Sequence, residues 1–238
     1  MKHLFVDIET FGRRPEFNPN EFEFDESKVR VGNLKDPQKI KEKIEKERKL
    51  AHKKQIEDYD KEWRKNALKS LNSDIICICY AIDDSDPEAI YIKNVGKVED
   101  GDAVYSERDL MVEFEQKLKY LPVASTIVVA HNGLTFDFPF IRHRGFKYRL
   151  PKLVEMFSFS GRNDPRVRDT MEMWRGSDWK NYYHMDDIAK YLGFEGKDGV
   201  SGDMVHDMFL NREFDKIAEY CKNDVVQLRN IYYAMSKF

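Results

Sequence analysis

The sequence predicts a mixed α/β domain with helices on both faces of one sheet. Short apolar runs of strand length recur at Lys2–Ile8, Ile75–Ile82 and Thr126–Ala130, and segments with apolar residues at helical spacing lie between and after them. Hydrophobic residues make up 41% of the 238, enough for a sizeable core. Residues 1–238 are expected to form a single domain, with 30–70 as a charged helical insertion.

Lys2–Ile8 reads as a buried strand ending in carboxylates, followed by a loop marked by Gly12, Pro15 and Pro19. Composition then shifts: Lys35 to Lys69 holds 13 Lys/Arg against 8 Asp/Glu, leaving 27 against 35 elsewhere. Within it Ile40, Ile44 and Ala51, then Ile56, Tyr59, Trp63 and Ala67, recur at helical spacing behind an Asp36-Pro37 start signal. One charged helix or a helical hairpin is expected. Ile75–Ile82 is a continuous apolar strand, with Ala89–Ile92 as its hairpin partner. Ser106–Leu121 carries Leu110, Phe114 and Leu118 in register, with Glu107 and Asp109 in its first turn, and reads as a helix. Thr126–Ala130 is a β-branched strand, and Phe136–Arg144 starts a helix that tolerates Pro139 in its first turn. A mixed stretch follows, with a loop around Gly161–Pro165 and short helices near Met185–Leu192 and Asp203–Leu210. Glu213–Met235 is the longest core helix, its stripe made by Phe214, Ile217, Ala218, Cys221, Val225, Leu228 and Tyr232.

The formal net charge of −3 gives no global basic signature, so a nucleic-acid partner has to be argued locally. Cys77, Cys79 and Cys221 show no zinc spacing and read as buried free thiols. MKHLFVDIET has no signal-peptide pattern and no apolar run approaches a membrane span of ~20 residues. A soluble, cytoplasmic protein is expected.

Four carboxylates and a tyrosine stand out. Asp7 and Glu9, two apart on a strand, share a face. Asp137 follows a buried strand at a helix start, where an N-cap role also fits. Tyr220 and Asp224 lie one turn apart on the last helix, flanking its buried stripe. Carboxylates crowded at one sheet edge repel unless cations neutralise them, and oxygen ligands suit Mg²⁺ or Mn²⁺.

The segments VDIET (Val6–Thr10), HNGLTFDFPFI (His131–Ile141) and YCKND (Tyr220–Asp224) resemble the three motifs of the DEDD exonucleases. Tyr220 makes the resemblance one to the DEDDy, DnaQ-like branch, similar to the proofreading exonuclease domain of family B DNA polymerases. In the histidine branch the corresponding position is Glu219. The resemblance implies an RNase H-like fold and a 3′–5′ exonuclease that releases nucleoside 5′-monophosphates with two ions, Mg²⁺ or Mn²⁺. It implies Asp7 between both ions, Glu9 and Asp224 on the ion that activates water, Asp137 on the second, and Tyr220 orienting the water. Thr10 and Phe11 resemble positions meeting the terminal nucleotide; Asn132 and Phe136 resemble positions near the single-stranded end, although Phe136 also fits a core residue. Single-stranded DNA or RNA 3′ ends are the implied partners, with a protein partner in replication, repair or recombination. Arg166 and Arg168 fit phosphate contacts or a solvated loop equally, and Asp187 reads as a helix cap. The positive insertion fits either a backbone contact or a solvated helix with i,i+4 pairs. Two alternatives stay open: an exoribonuclease, and a non-catalytic RNase H-like binding module.

Overall fold

A computed structural model describes residues 1–17, 21–93, 106–178, 180–196, 199 and 202–237; Pro19 of the first loop lies outside them. Five strands, β1 (Lys2–Gly12), β2 (Ser73–Ile82), β3 (Glu88–Tyr91), β4 (Thr126–Ala130) and β5 (Val167–Asp169), form one sheet of order β3-β2-β1-β4-β5. β1–β2–β3 is an antiparallel meander, while β4 and β5 run parallel to β1. The central strand therefore joins both halves of the sheet. This explains the unbroken burial of Leu4, Phe5 and Val6, which need an apolar layer on both faces.

The faces are assigned by register. Asp7 lies opposite Cys79 and Glu9 opposite Cys77, so these four share a face, while Val6 and Tyr80 share the other. Helix α2 (Glu107–Lys117) covers the Tyr80 face through Phe114, whose ring centroid is 5.5 Å from that of Tyr80. It starts on a capping box between Ser106 and Asp109. Helix α8 (Phe214–Met235) covers the Asp7 face, with Tyr232 packed edge-on against Phe5 at 5.6 Å. Helices thus lie on both faces, as the periodicities predict.

Several expectations are sharpened. β1 runs on to Gly12 rather than ending at Ile8, with a register shift between Glu9 and Thr10 that leaves an extra residue in β2. The charged segment is one unbroken helix, α1 (Pro37–Asn66), capped by Asp36 and not a hairpin. Nothing between Pro37 and Asn66 is a glycine or proline that would break it. The mixed stretch after α3 (Asp137–Tyr148) contains α4 (Pro151–Met156), β5 and α5 (Thr170–Arg175). Helices α6 (Met185–Tyr191) and α7 (Gly202–Leu210) fall where the sequence puts them. No helix among the described residues is long and apolar enough to cross a membrane.

A buried ion pair holds the back of the sheet. Glu107 of α2 accepts from the Arg144 guanidinium, the Lys147 ammonium, the Tyr148 hydroxyl and the Ile75 amide. Arg144 also donates to the carbonyls of Ser70 and Ser73. Burial works against the Glu107 charge, but these donors outweigh it and hold the carboxyl below its ordinary range.

Candidate metal and nucleic-acid site

Where β1 leaves the centre of the sheet, a cleft of about 890 Å³ opens, and Asp7, Glu9, Thr10, Asn132, Phe136, Asp137, Tyr220 and Asp224 all line it. Three segments far apart in sequence meet there. β1 presents Asp7 and Glu9 on the face that α8 covers. α8 brings Asp224 and Tyr220 to the same face, both buried, at 4% and 8% exposure.

Asp137 arrives from the loop after β4. It is the first residue of α3, one position inside the helix rather than its N-cap, and its Oδ1 accepts from the Ile8 amide at 3.1 Å. That bond pins the start of α3 to β1 beside Asp7. Two features shape the loop. Gly133 has no room for a side chain: a Cβ would lie 2.5 Å from that of Ala130 and 2.7 Å from the Phe138 ring. Asn132 sits in the left-handed region at φ 60°, which asparagine tolerates.

The electrostatics are those of an acid cluster short of cations. Burial, then the charges of Asp224, Asp137 and Glu9, push the Asp7 carboxyl well above its ordinary range. Burial also raises Asp137, to about 7; its amide hydrogen bonds oppose the shift, and Asp169 and Asp224 add to it. The Tyr220 phenol is driven far up by burial and by Asp224, Glu9 and Asp7, so it stays protonated. Carboxylate oxygens that raise one another in a buried cleft are a donor set that fits hard divalent cations.

Other expected residues are placed differently. Thr10 turns its hydroxyl to the Ala67 carbonyl at 2.7 Å. Phe11 lines a neighbouring cavity and not this cleft, packed on Phe209 at 4.2 Å and His206 at 4.9 Å. Phe136 lines the cleft and packs on Phe140, with ring centroids 4.6 Å apart. Arg166 and Arg168 donate to carbonyls of their own loop, at Ser158, Pro165 and Val167. Asp187 lies in the first turn of α6 without serving as its cap residue, and it lines the cleft.

Two contributors escape sequence reasoning. Cys221, read as stripe, puts its Sγ 3.3 Å from Asp7 Oδ2, within one group of possible ligand atoms with Glu9. Burial and its neighbours Cys77 and Cys79 raise its thiol well above the ordinary value, so it is a neutral donor beside the carboxylates. Asp169 accepts from the amides of Asn132 and Leu134 and caps α5 at Met171 and Glu172, bracing the loop that delivers Asp137. Nothing local marks Asp169.

A family model described as "Predicted 3'-5' exonuclease related to the exonuclease domain of PolB" matches residues 65–238. Asp137, Tyr220 and Asp224 fall inside the match, and Asp7 and Glu9 precede it. No curated protein matches. The structure of the family B DNA polymerase from the hyperthermophilic archaeon Pyrobaculum calidifontis is similar, at a TM-score of 0.51 and 14% identity. The likeness covers 96% of this chain and 23% of that one, so the chain spans about a quarter of the polymerase's length. At that identity the likeness shows the fold, an RNase H-like sheet flanked by helices.

Proposed function

The chain belongs to the predicted 3′–5′ exonucleases related to the exonuclease domain of PolB, and on that premise we propose that it shortens single-stranded DNA from the 3′ end by metal-dependent hydrolysis. One observation carries the reading. Carboxylates from β1, α3 and α8 line one cleft and hold one another's protons, a costly arrangement without cations. Asp7, Glu9, Asp137 and Asp224 would hold two divalent ions, Mg²⁺ or Mn²⁺. When bound, such ions neutralise the charge that develops in an in-line phosphoryl displacement.

Around them the chain's own residues do the rest. Tyr220, protonated and beside Asp224 and Glu9, orients the attacking water by hydrogen bonding rather than by removing its proton. A water oxygen attacks the terminal phosphodiester, the bond from phosphorus to the 3′ oxygen breaks, and that oxygen leaves with a proton. The products are a nucleoside 5′-monophosphate and a strand one nucleotide shorter. DNA is preferred to RNA because the solved relative is a DNA polymerase.

A time course on 5′-labelled single-stranded DNA and RNA, with Mg²⁺, Mn²⁺ or EDTA, tests this. A ladder receding from the 3′ end, dependent on metal and faster on DNA, is expected. Strands left intact with both metals would remove the enzyme reading, and faster loss of RNA would change its substrate.

A further inference from the structure

Helix α1 runs for 30 residues, yet only its last turn and the residues just beyond it reach the cleft, where Arg64, Lys65, Ala67 and Leu68 form one wall. Along the rest of the helix several charges pair with one another at the surface, as in Lys49–Glu45 and Lys53–Glu57. The end of α1 is fixed in place. The Trp63 indole donates to the Gly12 carbonyl at 2.7 Å, and Asn66 donates to the Arg13 carbonyl at 2.9 Å. Thr10 of β1 closes the joint on the Ala67 carbonyl. Arg64 is committed to Asp60 and to Asp207 of α7, at 2.8 and 2.7 Å. Lys65 is exposed and enters no ion pair among the described residues. Leu68 exposes 69% of its surface on the wall of the cleft that the carboxylates also line.

From this we infer that the end of α1 is the substrate-gripping wall of the cleft, with Lys65 holding a phosphate of the strand and Leu68 packing against a base near its 3′ end. The inference rests on the exonuclease reading and deepens it. A lysine on an anchored helix end, lining the same cleft as the acid cluster, supplies the attraction for a polyanionic backbone that those carboxylates repel. An apolar face beside it takes the base without regard to sequence. The helix's general positive balance is not the agent; one lysine at its end is.

The test measures steady-state kinetics on single-stranded DNA, and binding of a fluorescent oligonucleotide in EDTA across salt concentrations. Lys65→Ala should raise KM several-fold with kcat kept, and lower the salt slope of binding by about 0.7, the share of one single-strand phosphate. Lys65→Arg should restore both. Leu68→Ala should raise KM without changing the salt slope. Lys49→Ala, within the paired part of α1, should change nothing. An unchanged salt slope in Lys65→Ala, or an equal effect from Lys49→Ala, overturns the inference while wild-type cleavage leaves the exonuclease reading standing. A wild type that binds strands through Lys65 but cuts none would do the reverse, and one that binds no strand would remove both.

Discussion

Asp7 is the residue on which the site turns. Burial and three carboxylate neighbours act on it at once, so Asp7→Asn relieves repulsion without losing packing. We expect the metal-free variant to melt higher than wild type, and its exonuclease activity to fall by more than the ~10–100-fold that loss of an outer-shell partner costs a metal site. A calorimetric scan in EDTA beside the activity assay reads both, and wild-type turnover in Asp7→Asn would refute the ligand assignment. Tyr220→Phe removes one hydroxyl and no ligand, so its loss should be smaller than that of Asp224→Asn; the reverse ranking would give Tyr220 another role. Spacing put Asp7 with Glu9 on one strand face and Tyr220 with Asp224 on one helix face, and it was the resemblance to the three motifs that joined those pairs to Asp137. Cys221 and Asp169 were not legible, because their roles lie in contacts across 214 and 37 residues of sequence.

At the scale of elements, close approach decides more than propensity. A Cβ on Gly12 would lie 2.3 Å from the Trp63 carbonyl and 2.8 Å from the Ala67 amide, both backbone atoms. Gly12→Ala must therefore push the end of α1 off β1, costing about 1–3 kcal/mol as overpacking does. Urea unfolding should show that loss, and KM for single strands should rise with it. An unchanged midpoint would mean that α1 is not seated as described. The Glu107–Arg144 pair offers a second case. Glu107→Ala leaves Arg144 buried and unpaired between Ser70 and Ser73, and should destabilise by about 3–5 kcal/mol in the same assay. Long elements were readable from the chain: β2, β4 and α8 bury enough consecutive or periodic residues to announce themselves. β5 has 3 residues, and α4 and α5 have 6 each, too short for a period to appear. Whether α1 was one helix or two could not be read from a narrow stripe, since a solvated helix is held by pairs on its surface and by its anchored end.

For the molecule as a whole, the acid cluster ties stability to pH. The folded pKa values of Asp7 and Asp137 lie above the ordinary carboxylate value near ~4, that of Asp137 at about 7, so above the ordinary value the native state binds more protons than the unfolded chain. Their contribution is complete below the unfolded pKa and is lost as pH rises through the folded values, about 7 for Asp137. Glu107 has the opposite shift, and its contribution is lost only in acid, outside that window. His143 and His206 do intrude: burial and nearby arginines depress both, so their contribution grows as pH rises toward the ordinary histidine value and is complete above it. The difference between wild type and Asp137→Asn isolates the cluster from them. In EDTA, the melting temperature of wild type should fall relative to the variant from pH 5 to pH 8. Added Mn²⁺ should raise wild type more at pH 8 than at pH 5, because the ions compete with protons for the same oxygens. Parallel curves for the two proteins across that range would mean that Asp137 ionises as an ordinary carboxylate. The cleft would then not be held in tension by its own charge, and crowding would cease to be the reason for its cations.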